Sequence, residues 1–184
     1  IEAAMIGARI APGMKRTFTG QKWTNITPES AWKAAVAEAE DRILRDVKMN
    51  IQGYDIDNSI VKCAMENARA AGVGDQIHFQ QRSVAELSNP KKYGFIITNP
   101  PYGERLEEQD ELPDLYRMIG KSFDKLDTWS KYIITSYAEA EKYLGKKATK
   151  NRKIYNGMIK AYYYQYLGPK PPRQPRPEQG ERSI

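Results

Sequence analysis

Near the middle of the chain, residues Ile96 to Leu106 read IITNPPYGERL. A run of β-branched side chains, which reads as a buried strand, ends on one amide, two prolines and a tyrosine. Proline fixes its own φ and biases the residue before it toward extended geometry, so Asn99 and Pro100 are both held out of the helical region. Neither Pro100 nor Pro101 has an N–H, so the Pro100 carbonyl can face a ligand beside the side-chain carbonyl of Asn99. Two such acceptors suit a planar exocyclic NH₂. One hydrogen goes to each oxygen, and the nitrogen lone pair turns away from its conjugated ring toward an incoming electrophile. Tyr102 offers a flat face on which a base can stack. The plain alternative is a strand that stops in a proline-stabilised turn.

A second polar strand end precedes it. In GYDID, Asp55 falls at the tip of a short strand, where a carboxylate can accept both hydroxyls of a ribose. Asp57 falls at the start of the next helix, where its charge is favoured by the helix dipole. The competing reading makes both acids helix-capping residues. Asp55, Asp57, Ser59 and Glu66 also match positions of a calcium loop, but Ile60 stands where such a loop needs glycine, so no metal is expected there. His78, the one histidine, reads as a strand residue, and Cys63, the one cysteine, can form no internal disulfide; together they make no zinc cluster.

These strand ends need a frame, and the periodicity supplies one. Residues 1–10 are helical in pattern, with Ile1, Met5 and Ala8 on one side. Thr27 reads as an N-cap with Pro28 as the first helical residue, and Trp32, Val36, Ala39 and Ile43 carry that helix to about Arg45. MNIQGYDID reads as a strand, Ile60 to Ala68 as a helix closed by Gly72, and IHFQQRSV as a strand. YGFIITN is a continuous apolar strand of the kind buried in parallel sheets. A helix from about Pro113 to Lys125, strand KYIITSY, a short helix at Ala138 to Leu144 and a final hairpin follow. The alternation predicts an α/β layered fold with the hairpin at one edge. The run of tyrosines from Tyr162 to Tyr166 reads as sheet packing.

The 184 residues include 29 Lys and Arg against 23 Asp and Glu, a net charge of +6. That excess inclines the chain toward polyanionic partners such as nucleic acid. It is uneven: LGKKATKNRK and the proline-rich tail after Gly168 concentrate it, and the tail, 169–184, is expected to be disordered. The apolar runs fall short of the roughly 20 residues that span a bilayer, and the single cysteine fits a reducing cytoplasm.

The stretch IITNPPYGERL resembles the catalytic motif of amino-group methyltransferases. With Gly103, Glu104, Arg105 and Leu106 it is similar to the ribosomal RNA guanine-N2 methyltransferase family. IEAAMIGARIAPG, RTFTGQKW, GYDIDNSIVKCAMENARAAGV and NGMIK also resemble family segments, so the likeness covers about 1–167. It implies a Rossmann-like class I methyltransferase domain over 1–168 that uses S-adenosylmethionine and acts on RNA in the cytoplasm. Asn99, Pro100, Pro101 and Tyr102 would position the target base. Asp55 would bind the cofactor ribose, Ile56 would pack on its adenine, and Ser83 and Val84 would lie beside it. Ser83 departs from the family, which usually has aspartate there to contact the adenine amine; a hydroxyl makes a weaker, uncharged bond. The resemblance also implies a glycine-rich first strand before Ile1, central between the strands ending at Asp55 and Asn99, and a THUMP-type RNA-binding domain upstream. Methylation of adenine N6 or a glutamine amide, or RNA binding without catalysis, are the other readings the residues allow.

Overall fold

The computed structural model describes residues 1–102 and 110–173. Gly103 to Leu106 of the family-like extension, and the tail from Gln174 onward, lie outside the described residues. Two compact units, Ile1–Ser83 and Val84–Ile184, divide the chain.

The first unit opens with helix α1 (Glu2–Gly7). Its small side chains let neighbouring apolar groups approach closely: Ala4 is fully buried with Ala68, Val73 and Ile77, while Ile1, Met5 and Met49 pack around them. The expected helix over 1–10 is shorter because Arg9 turns to a positive φ of 56° and the Ile10 amide donates to the Met5 carbonyl at 2.8 Å. Helix α2 (Glu29–Asp41) is also displaced from its expected limits. Pro28, at ψ 144°, is extended, so it and not Thr27 is the N-cap, and no side chain caps the helix. At the other end the chain leaves the helix before Arg45 because the Leu44 amide bonds the Ala8 carbonyl at 2.9 Å.

Strand β1 (Ile51–Asp55) pairs in parallel with β2 (Ile77–Gln81), and helix α3 (Asn58–Ala71) joins them. Gly53 faces Phe79 in the ladder, and a Cβ there would meet the Phe79 ring at 2.6 Å, so glycine is what lets that ring lie across the pair. Gly72, at φ 80°, ends α3 in the left-handed cap that the sequence predicts.

In the second unit a four-stranded mixed sheet runs in the order β3 (Phe95–Thr98), β4 (Ser130–Thr135), β6 (Ile159–Tyr166), β5 (Lys150–Asn156). Strands β3 and β4 are parallel; the β5–β6 hairpin adds antiparallel strands at the far edge, as expected. Helices α4 (Leu112–Asp124) and α5 (Ala140–Leu144) contribute to its core. Leu112, Tyr116, Ile119 and Phe123 recur at helical spacing on α4 and close over Ile133, Tyr164 and Tyr166. The tyrosine run therefore packs the sheet, with Tyr162 and Tyr164 stacked at 5.7 Å.

Strand β3 corrects one expectation. Its continuous apolar sequence predicts burial on both faces, yet only Ile96 packs against this core, while Phe95 and Ile97 are 69% and 76% exposed. The physical reason is alternation: successive side chains point to opposite faces, and the described helices of this unit share the core on the Ile96 side.

Candidate active site

At the end of β1 the backbone of Asp55 stays in the ladder opposite Gln81, and the Arg82 amide donates to its carbonyl at 2.8 Å. The Asp55 carboxylate is half-buried, and its Oδ1 accepts the Asp57 amide at 2.9 Å, which fixes the turn out of the strand. Beside it, the Ile56 side chain is 71% exposed while the Ile56 carbonyl accepts from Gln81 Nε2 at 2.9 Å. An apolar side chain is thus presented at the strand tip by a backbone held from two sides. Asp57 caps α3, as its position predicts: its Oδ1 accepts the Ser59 hydroxyl and amide, each at 2.7 Å, and those bonds hold its carboxyl below the usual range.

In the second unit Asn99 follows directly on β3 and is exposed, Pro100 is buried, Pro101 is exposed and Tyr102 is half-buried. The turn is tied down from α4. Tyr116 Oη donates to the Pro101 carbonyl at 3.2 Å and lies 2.6 Å from Thr135 Oγ1 at the end of β4. Thr135 Oγ1 also accepts the Tyr137 amide at 3.0 Å. Both Tyr116 and Thr135 are fully buried, and burial, only partly offset by the bond to Thr135, pushes the Tyr116 phenol up to about 12.

The structure gathers the predicted residues into separate groups on the two units. Asp55 and Ile56 share one strand tip, with Ser83 two residues beyond the end of β2. Asn99, Pro100, Pro101 and Tyr102 share the other. Val84 opens a short 3₁₀ turn of the second unit, packs against that unit's core, and its carbonyl accepts the Ser122 hydroxyl at 2.7 Å. Sequence reasoning missed Tyr116, Thr135 and Ser122. Tyr116 stands in an apolar helical stripe and reads there as ordinary core; its hydroxyl, which needs a partner once buried, is the one signal that could have marked it.

Parallel strand pairs joined by helices, with an acid at one carboxyl end and Asn-Pro-Pro-Tyr at another, define a Rossmann-like class I methyltransferase fold. Known proteins agree. The chain is 43% identical over 178 residues to a Bacillus subtilis (strain 168) protein provisionally named as an RNA methyltransferase, YpsC, covering 97% of this chain and 46% of the relative. It is 36% identical over 170 residues to the ribosomal RNA large subunit methyltransferase K/L of Shewanella sp. (strain W3-18-1), covering 90% of this chain and 24% of that protein. The crystal structure of SMU.472, provisionally a methyltransferase and complexed with SAH, superposes with a TM-score of 0.86 at 37% identity, over 93% of this chain and 45% of that one. The chain belongs to the family of RMKL-like methyltransferase domains, whose profile matches residues 1–165. It spans less than half the length of each of these relatives.

Proposed function

We propose that this chain is the catalytic part of an S-adenosylmethionine-dependent RNA methyltransferase that modifies the exocyclic N2 amine of a guanine in large-subunit ribosomal RNA. The observation that carries the reading is the end of β3: an exposed amide, Asn99, on a turn fixed by two prolines and by the Tyr116 bond to Pro101. The Shewanella relative's name supports the RNA class, and the SAH complex supports the cofactor.

The donor set at the end of β1 fits the nucleoside part of that cofactor. A half-buried carboxylate with a fixed orientation stands next to an apolar side chain left 71% exposed at the carboxyl end of a parallel strand. Asp55 would accept the ribose hydroxyls, Ile56 would lie against the adenine, and Ser83 and Val84 would border it. S-adenosylmethionine, when bound, supplies an electrophilic methyl group. Asn99 Oδ1 and the Pro100 carbonyl would each accept one hydrogen of the target amine, which aims its lone pair, and Tyr102 would stack on the base. An aryl amine is weakly basic because its lone pair is delocalised, so placement outweighs base strength and the displaced proton can pass to water. We place capture of the RNA partly in a THUMP-type domain elsewhere in the protein, and the protein itself in the cytoplasm.

Asn99→Ala in the intact protein tests this reading. Single-turnover methyl transfer to ribosomal RNA is expected to fall by roughly two to four orders of magnitude, with S-adenosylmethionine affinity by calorimetry nearly unchanged. Near-normal turnover would sink the mechanism.

A further inference from the structure

A turn made of Asn99, Pro100, Pro101 and Tyr102 poses a mechanical problem. Two consecutive prolines give it two residues that cannot donate a backbone hydrogen bond, so the ladder of β3 cannot extend through them. Such a segment can still be fixed from outside, through its carbonyls as acceptors. The structure holds one such bond: Tyr116 Oη donates to the Pro101 carbonyl at 3.2 Å.

The bond to Pro101 sets one proton order around Tyr116. Tyr116 has one hydroxyl hydrogen, and a carbonyl can only accept, so the bond to Pro101 forms when that hydrogen turns toward it. In that arrangement the Thr135 hydroxyl, 2.6 Å away, is the donor to Tyr116 Oη. Thr135 Oγ1 in turn accepts the Tyr137 amide at 3.0 Å. Three donors therefore run in one direction, from the backbone after β4, through Thr135 and Tyr116, to the Pro101 carbonyl. Burial keeps the phenol protonated until about pH 12, so the donor is present throughout neutral pH.

The anchor is rigid. Tyr116 is fully buried, its ring lies 5.0 Å from that of Tyr137, and Gly120, one turn further along α4, lets the Leu144 carbonyl approach so closely that a Cβ there would meet it at 2.5 Å. Ser122 on the same helix holds the Val84 carbonyl at 2.7 Å. One helix thus references the turn after β3, the end of β4 and the 3₁₀ turn at Val84 to a common frame.

We propose that Tyr116 is a positioning residue for methyl transfer: its hydroxyl, oriented by Thr135, sets the backbone of the Asn99 to Tyr102 turn and so aims the two acceptors at the target amine. The inference rests on the reading of Asn99 as the residue that holds that amine. It gives a buried tyrosine and a buried threonine a role in rate that their places in the core alone do not.

The experiment compares Tyr116→Phe, Thr135→Val and Asn99→Ala in the intact protein, with labelled S-adenosylmethionine and deproteinised ribosomal RNA from cells lacking the gene. Single-turnover rate constants are read separately from amplitudes, because a purely structural loss lowers the amount of active protein but not the rate constant of what remains. Tyr116→Phe keeps the ring and removes the hydrogen bond; its rate constant is expected to fall about 10- to 100-fold, with cofactor affinity within about twofold of the parent. Thr135→Val leaves Tyr116 its donor but frees its orientation, and a fall of about three- to tenfold is expected, restored by Thr135→Ser. Should Tyr116→Phe fail to fold, the Thr135 pair decides the matter by the same criterion. A Tyr116→Phe rate constant equal to the parent's, or a loss confined to amplitude, overturns the proposal while an inactive Asn99→Ala leaves the site reading standing. Full activity in Asn99→Ala overturns both.

Discussion

Asp55 and Asp57 stand two residues apart and face different partners. The Asp57 carboxylate is spent on the Ser59 amide and hydroxyl at the start of α3, whereas Asp55 has one oxygen on the Asp57 amide and retains acceptor capacity on the other. Asp55→Ala is therefore expected to weaken S-adenosylmethionine binding first, by roughly 1.5 to 3 kcal/mol for each charge-assisted bond removed, before any effect on the rate at saturating cofactor. Calorimetry on the intact variant checks this, and unchanged affinity would return Asp55 to a turn-forming role alone. The difference between the two acids was legible from their order along a strand-to-helix boundary. Tyr116 and Thr135 were not, because a side chain that packs and also donates has the same spacing as one that only packs.

At the scale of elements, the readings that succeeded rest on strong local signals: the glycine cap of α3, the alternation in β2 and the proline near the start of α4. Those that slipped were decided by tertiary bonds. Helix α2 stops at Asp41 although its apolar stripe continues, since Leu44 is claimed by the Ala8 carbonyl. Strand β3 is apolar on both faces, and periodicity cannot say that only one would meet the core of its own unit. The β5–β6 hairpin adds a charge pattern to its packing. From Lys146 to Arg173 the chain has eight basic residues and no acidic one, and Lys150, Arg152 and Lys153 on β5 are all exposed. If RNA phosphates lie against this edge, replacing those three by alanine weakens RNA binding and makes its logarithmic salt dependence shallower by up to about 1 for each phosphate no longer neutralised, with cofactor affinity unchanged. Equal salt slopes for parent and variant in a filter-binding titration would show that the edge is merely solvated.

At the scale of the whole molecule, two strand pairs matter most. Among the described residues β1 has β2 as its only ladder partner and β3 has β4, so each carries one edge without a backbone partner. What the chain does hold is the pair of strand ends on which the proposed chemistry depends: a carboxylate suited to a ribose and a proline-locked amide suited to a planar amine. The same two acceptors would also fit an adenine amine, so the product nucleoside discriminates better than any rate. The most decisive measurement supplies the intact protein with S-adenosylmethionine carrying a deuterated methyl group and deproteinised ribosomal RNA from cells lacking the gene. The RNA is then digested to nucleosides and the label located by mass spectrometry. Transfer to the guanine amine puts the label in N2-methylguanosine from the large-subunit RNA; label in N6-methyladenosine, or in no nucleoside at all, would refute it.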